Sequence, residues 1–152
     1  STETAANMNT APTTPDGDYV CISRLMVDVS QPQARIIAAP QPDESCCFRA
    51  SWIRQHLHME PESLRLINVT GDSMEPTLNH GDLLLVNTAH THPTPPGIYL
   101  IFDGYGLMPK RLETIAMHGA PRLRVMSDNP QYSVYEKSLD DISIIGRVVW
   151  FA

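Results

Sequence analysis

Apolar and polar residues alternate over short segments along most of this chain, and prolines and glycines separate the segments. Alternation with a period of two places every second side chain on one face of a strand, which is the pattern of a half-buried sheet. Short segments bounded by Gly, Pro, Asn and Asp are typical of strands. We predict strands at residues 19–22, 64–69, 83–86, 97–102, 107–115, 122–126, 133–135 and 142–151.

Two segments fit helical spacing better. Residues 48–57 carry apolar side chains at helical intervals, with Ser45 upstream as a candidate N-cap. After Ser73, Met74 and Leu78 stand four positions apart, which predicts a second short helix. The expected fold is therefore mostly β, with one or two short helices.

The two segments with the fewest large apolar residues are predicted to lie outside the packed core. Residues 1–18 cannot bury enough surface to offset the entropy of ordering, so we predict a flexible linker followed by one domain over residues 19–152. Residues 30–47 are rich in Gln, Pro and Ala and predict an exposed loop with an apolar island at residues 36–39.

Charge and hydropathy exclude two classes of function for this segment. A net charge of −6 argues against binding of a nucleic-acid phosphate backbone by these residues themselves. No apolar run reaches the length of about 20 residues that a membrane helix needs. We therefore expect a protein that does not enter a membrane.

Three cysteines, Cys21, Cys46 and Cys47, give an odd count. Cys46 and Cys47 are neighbours and are poorly placed to bridge each other. We predict reduced, partly buried thiols in a cytoplasmic protein.

Ser73 and Lys110 are the candidate catalytic residues. Ser73 follows Gly71-Asp72 between a predicted strand and a predicted helix, and Lys110 lies in the strand at residues 107–115. A serine needs a base to become a nucleophile, and a lysine can act as that base when burial lowers its pKa. Met108 and Leu112 share the strand face of Lys110, so this lysine is expected to point towards apolar neighbours. The pair predicts a Ser–Lys dyad.

The backbone amides of Asp72 and Ser73 are candidates for an oxyanion hole, since the start of a helix after Ser73 would leave them exposed at its positive end. Each feature alone has a plainer interpretation. Gly-Asp-Ser is a common turn sequence, and Lys110 could extend its amine to solvent from an exposed strand. The combination of the two favours the dyad.

Other polar residues give weaker indications. His56 and His58 stand two apart, as do His90 and His92, and such pairs could share a strand face and bind a metal. No third ligand is evident, so we predict solvated histidines and no metal site. The sequence contains no glycine-rich phosphate loop, and we expect no cofactor.

Three segments together resemble the C-terminal domains of LexA-like and lambda-type phage repressors, which belong with the UmuD-type proteins to a Ser–Lys peptidase family. Residues 71–86 resemble the nucleophile region of that family, Lys110-Arg111-Leu112 resembles its lysine strand, and residues 127–132 (Ser-Asp-Asn-Pro-Gln-Tyr) resemble its downstream turn. Residues 145–149 resemble its closing strand, and the similarity covers about residues 19–152.

This resemblance implies a β-rich fold like that of LexA and the signal peptidases, with Ser73 and Lys110 as the dyad. It implies one self-cleavage stimulated by the RecA–single-stranded-DNA filament in the DNA-damage (SOS) response. It also implies a homodimer, with operator DNA bound only by a separate domain upstream of residue 1.

Family members cut an Ala-Gly bond upstream of the serine, whereas this chain has Ala38-Ala39 at the corresponding distance from Ser73. We predict cleavage at Ala38–Ala39, with Ile36 and Ile37 as the extended segment that pairs in the cleft. An alanine in place of glycine leaves three interpretations open. The protein tolerates the methyl group, cleaves poorly, or carries an engineered replacement.

Two other functions remain open at this level. The domain could be a dimerisation and sensing module that is never cut and is inactivated by an antirepressor protein. It could also be a UmuD-like polymerase accessory protein.

Overall fold

The alternating segments form strands in the computed structural model, which describes residues 19–28, 30, 34–36, 45–116 and 118–152. The predicted linker at residues 1–18 lies outside the described residues. The strands are β1 (Tyr19–Ser23), β2 (Val27–Asp28), β3 (Arg35–Ile36), β4 (Ser45–Arg49), β5 (Leu64–Asn68), β6 (Leu83–Asn87), β7 (Gly97–Phe102), β8 (Leu107–Ile115), β9 (Arg122–Met126), β10 (Tyr135–Ser138) and β11 (Ser143–Phe151).

Seven strands form one antiparallel sheet in the order β10-β9-β8-β7-β11-β6-β5. Strands β1 and β4 pair separately, and so do β2 and β3. Strand β11 runs through the middle of the sheet, between β7 and β6, and carries register shifts on both sides. The mostly β fold predicted from the sequence is confirmed, and the bounds of β7, β8 and β9 match the predicted segments.

Helical structure is confined to short elements. Helix α1 (Ala50–Trp52) continues into a π-helical turn (Ile53–Leu57), and 3₁₀ turns occur at Pro61–Ser63 and Leu139–Asp141. None of these helices is long and apolar enough to cross a membrane; this statement covers the described ranges only.

The predicted start of the first helix is wrong. Phe48 lies in β4 opposite Val20, and Ser45 is the first residue of that strand, so it caps no helix. Phe48 also packs on Trp52 and Trp150, which explains why it is apolar without being helical. The helical spacing between Phe48 and Trp52 therefore reflects tertiary packing and not a helix that begins at Phe48.

The predicted helix after Ser73 is also wrong. Residues 73–77 form consecutive turns, with the Glu75 N–H donating to the Asp72 carbonyl and the Leu78 N–H to the Met74 carbonyl. Pro76 has no N–H and cannot make the bond to Asp72 that a continuing helix would require. We call residues 71–78 the nucleophile turn.

Two side chains anchor the nucleophile turn in the core. Met74 and Leu78 are almost fully buried in an apolar cluster with residues of the sheet, including Leu84 and Leu100. Burial of each such side chain contributes about 1.5–3 kcal/mol, so the turn is firmly attached to β6 and β7. Ser73 therefore projects from a fixed base.

The prediction that all the cysteines are reduced is wrong for two of them. Cys21 and Cys47 are direct partners in the β1–β4 ladder and form a disulfide, while Cys46 is an exposed free thiol. Opposed residues of an antiparallel pair lie close enough for such a bond. Cys21 and Cys47 are 26 positions apart in sequence, and only the register of β1 with β4 brings them together.

Candidate active site

Lys110 is buried in the middle of β8. Its side chain is 6% exposed, and it is the one buried charged residue in the described part of the chain. It lies opposite Tyr99 of β7, and Tyr99 is fully buried. Burial lowers the pKa of Lys110, and the nearby Asp103 only partly opposes this effect. A lysine in this environment holds a neutral amine far more readily than a surface lysine does.

The amine of Lys110 makes a short hydrogen bond to Ser127. Its Nζ donates to the Ser127 Oγ at 2.5 Å and lies 5.3 Å from the centroid of the Tyr132 ring. No role was predicted for Ser127 from the sequence, although the pairing of β8 with β9, continued by one position, places it opposite Lys110. Arg111 lies opposite Met126, so the next positions along the two strands are Lys110 and Ser127.

Ser73 is held by the stretch that follows β9, which we call the 127–132 turn. The Ser73 carbonyl accepts a hydrogen bond from the Asn129 N–H at 3.0 Å, and the Asp72 carbonyl accepts one from Asn129 Nδ2 at 3.0 Å. The Tyr132 hydroxyl donates to Asp72 Oδ1 at 2.5 Å. Both candidate catalytic residues therefore bond to the same turn, Lys110 through Ser127 and Ser73 through Asn129.

Asp128 joins three elements of the site. It accepts two hydrogen bonds from Arg111 on β8, at 2.8 and 2.7 Å, and one from the Thr77 hydroxyl at 2.5 Å. The Arg111 hydrogen bonds lower the pKa of Asp128, and the Thr77 bond adds to this effect while burial opposes it. The Asp128 N–H also points to the sulfur of Met74 at 3.4 Å. The strand of Lys110, the nucleophile turn and the 127–132 turn are thus fastened together by one carboxylate.

The two candidate catalytic side chains do not bond to each other in this arrangement. The Ser73 hydroxyl makes no hydrogen bond within the residues that the structure describes, and the Lys110 amine donates to Ser127. The Ser73 side chain is half-buried, and among the described residues no hydrogen bond fixes the orientation of its hydroxyl.

The backbone amides of Asp72 and Ser73 are also without acceptors in the described ranges. No helix follows them, so the predicted helix dipole cannot contribute there. What remains for an oxyanion is two unpaired N–H donors, and Gly71 precedes them with a φ of 87°. Glycine adopts this left-handed conformation without steric cost.

The predicted cleavage segment is only partly described. Ile36 lies in β3 opposite Val27 and is exposed to 39%. Ile37, Ala38 and Ala39 lie outside the described residues. The predicted scissile bond therefore stays a prediction.

The histidine pairs have local contacts of their own. His90 stacks on His92 at 4.3 Å between centroids, and its Nε2 lies 2.8 Å from the Thr94 carbonyl. His56 stacks on Trp52. No group of three possible metal ligands occurs among the residues that the structure describes.

Comparison with known proteins adds two matches. A family model described as Peptidase S24-like matches residues 26–149. Over 91 residues the chain is 35% identical to a protein named 26 kDa repressor protein, from Escherichia phage HK022. That match covers 58% of this chain and 37% of the relative, so the chain matches well under half of the relative's length.

Proposed function

Because the chain belongs to the Peptidase S24-like family, we propose that it is the self-cleaving regulatory domain of a phage-type or prophage-type repressor. The observation that carries this proposal is a buried Lys110 with a lowered pKa, held at the same turn that holds Ser73. Lys110 forms no salt bridge in the described part of the chain, so its burial costs stability, and catalysis by a neutral amine gives a reason for its presence.

In the proposed reaction, neutral Lys110 accepts the Ser73 hydroxyl proton while the Ser73 oxygen attacks the carbonyl carbon of Ala38. The amides of Asp72 and Ser73 stabilise the resulting oxyanion. Collapse breaks the bond to Ala39, and Lys110 returns the proton to the leaving amine. Water then hydrolyses the Ser73 ester, so one peptide bond is exchanged for a carboxylate and an amine.

Ser127 acts in this scheme as a positioning residue. A neutral amine has two N–H groups and one lone pair. Donation of one N–H to Ser127 Oγ, at 2.5 Å, limits rotation of the amine and leaves the lone pair for the Ser73 proton. Within the described residues the hydroxyl of Ser73 has no competing hydrogen bond, so it is available to donate its proton when it approaches Lys110.

Cutting would separate two functions of the longer repressor. We propose that this domain forms a homodimer, that a domain upstream binds operator DNA, and that the RecA–single-stranded-DNA filament stimulates the cut in the SOS response. Paired operator half-sites hold a linked dimer more tightly than two separate halves, so separation would weaken binding. The similarity to a protein named as a phage repressor supports the repressor role in this proposal.

A second candidate is a dimerisation and sensing module that is never cut. Ala39 favours it, because a methyl group replaces the hydrogen that the family's glycine carries at this position. In this case Lys110 would remain bonded to Ser127 and would serve only the packing of the site.

Incubation of the chain at alkaline pH with a reductant, with and without activated RecA, separates the two candidates. Mass spectrometry should find fragments 1–38 and 39–152, faster in Ala39→Gly and absent in Ser73→Ala. An intact chain under all of these conditions, in the wild type and in Ala39→Gly, would contradict self-cleavage and support the uncut module.

A further inference from the structure

The disulfide between Cys21 and Cys47 encloses the predicted cleavage segment. The bond joins β1 to β4 and spans 26 positions of sequence. Ala38–Ala39 lies between the two cysteines, and so does every other peptide bond of the predicted loop up to residue 47. A cut within this span therefore opens a loop whose two ends remain joined through sulfur.

We propose that the Cys21–Cys47 disulfide is a redox-controlled tether that keeps the two cleavage products in one covalent molecule. The proposal rests on the proposed function for the cut itself, but the tether holds for any cut between the two cysteines. Cleavage and release of the N-terminal piece then become separate events, and thiol chemistry governs the second.

The two steps differ in chemistry. Hydrolysis adds one water across the peptide bond and leaves the S–S bond unchanged. Release requires two electrons and two protons from a dithiol reductant, which becomes a disulfide while Cys21 and Cys47 become thiols. Oxidation by a low-molecular-weight disulfide restores the tether, with two reduced thiols of the small molecule as the other product.

Non-covalent contacts of the N-terminal piece keep Cys21 near Cys47 after reduction, so the disulfide can form again. Strand β1 pairs with β4 over five residue positions, and Ile22 is buried at 2% exposure in a cluster with Ile53 and Leu64. Beyond β1, the Leu25 N–H donates to the Leu66 carbonyl at 2.7 Å, and Leu25 is 6% exposed. The reduced products are therefore an associated pair that separates on dilution, while the oxidised products cannot separate at any dilution.

In a repressor, release of the N-terminal piece would then require reduction of the disulfide in addition to the cut. Whatever segment precedes Tyr19 leaves with the N-terminal piece, because that piece contains β1, β2 and β3. In the oxidised form this segment stays covalently attached to the seven-stranded sheet after the cut. A covalent link raises the effective concentration of the two parts, and avidity gains of 10²- to 10⁴-fold are typical of such linkage.

The test uses the full chain and two ways of cutting it. In the first, the chain self-cleaves at alkaline pH after thiols have been blocked with an alkylating agent. In the second, Ser73→Ala prevents self-cleavage, and a recognition sequence for a site-specific protease is inserted between Ala38 and Ala39. Both digests are run on denaturing gels with and without a dithiol. Cys47→Ser removes the tether, and Cys46→Ser is the matched control at the neighbouring exposed thiol.

A tether predicts one band without the dithiol and two bands with it, in the protease-cut chain and in Cys46→Ser, and two bands under both conditions in Cys47→Ser. Two bands without a dithiol from the protease-cut chain with all three cysteines intact would overturn the proposal. If the protease-cut chain yields two bands only with the dithiol and the self-cleaving chain yields none under either condition, the tether is supported while the proposed self-cleavage fails, so the two failures are distinguishable.

Discussion

Removal of the Ser127 hydroxyl tests whether the amine of Lys110 is positioned for catalysis. The Ser127 Oγ accepts a hydrogen bond from Lys110 Nζ at 2.5 Å, and Lys110 is only 6% exposed, so water cannot easily replace the lost partner. A buried donor that is left without its acceptor costs about 1–3 kcal/mol. Each 1.36 kcal/mol is a factor of ten in rate, so Ser127→Ala should slow self-cleavage by roughly 10- to 100-fold.

The pH dependence separates this role from a purely structural one. A hydroxyl oxygen that accepts from the amine stabilises the ammonium more than the neutral form. Its removal adds to the effect of burial, which already lowers the pKa of Lys110. In Ser127→Ala the rise of rate with pH should therefore shift to lower pH while the plateau falls. A variant that is merely misfolded would lose rate without this shift.

The assay follows loss of the uncut chain on reducing gels from neutral to strongly alkaline pH, in an Ala39→Gly background. Ser127→Thr keeps the hydroxyl and should retain most of the rate. Ser133→Ala is the matched control, because Ser133 is exposed just beyond the 127–132 turn and makes no hydrogen bond in the described part of the chain. Ser127→Ala with the parental rate and the parental pH profile would refute the positioning argument.

Three further substitutions test the surroundings of the site. Lys110→Met should abolish cleavage. It should also raise the free energy of unfolding at neutral pH, because burial lowers the pKa of Lys110 in the folded state and so penalises the ammonium. This gain in stability should vanish as pH rises above the unfolded-state pKa of about 10.4, which denaturant titrations at a series of pH values measure. Asp128→Asn should cost about 1–2 kcal/mol at neutral pH, since its bonds to Arg111 are partly exposed. The pKa of Asp128 is lowered in the folded state, so the stability that its carboxylate contributes is present above the unfolded-state pKa and is lost as pH falls through the folded-state pKa. Equal urea midpoints for the wild type and Asp128→Asn at neutral pH would contradict this prediction. Gly146→Ala should destabilise by roughly 1–3 kcal/mol, because its Cβ would lie 2.5 Å from the Asn87 carbonyl oxygen, and an unchanged urea midpoint would show that β6 can move.

Local alternation was sufficient to predict the strands that build the site. In β8 the apolar positions on either side of Lys110 already placed this lysine on a buried face, and the structure has it buried. Strand bounds follow from such patterns because each side chain reports which face of the sheet it occupies. The fold class was predictable for the same reason.

Contacts between distant segments were not predictable in this way. Cys21 and Cys47 meet only because β1 pairs with β4, and neither strand contains a signal that selects the other. Phe48 has helical spacing to Trp52, yet its position is decided by packing on Trp150 from β11. The role of Ser127 needed the β8–β9 register, which the alternation pattern alone does not fix.

The contacts around Ser73 also indicate which step would control the proposed reaction. Asn129 holds the carbonyls of Asp72 and Ser73, and Met74 is anchored in the core, so the backbone of the nucleophile turn is already fixed. The Lys110 amine is fixed by Ser127. The proposed reaction then still requires approach of the Ser73 hydroxyl to Lys110 and entry of the cleavage segment. Rotation of a side chain is fast compared with segment docking. The rate then scales with the fraction of molecules in which the segment is docked, and a partner accelerates cleavage only to the extent that it binds the docked form more tightly.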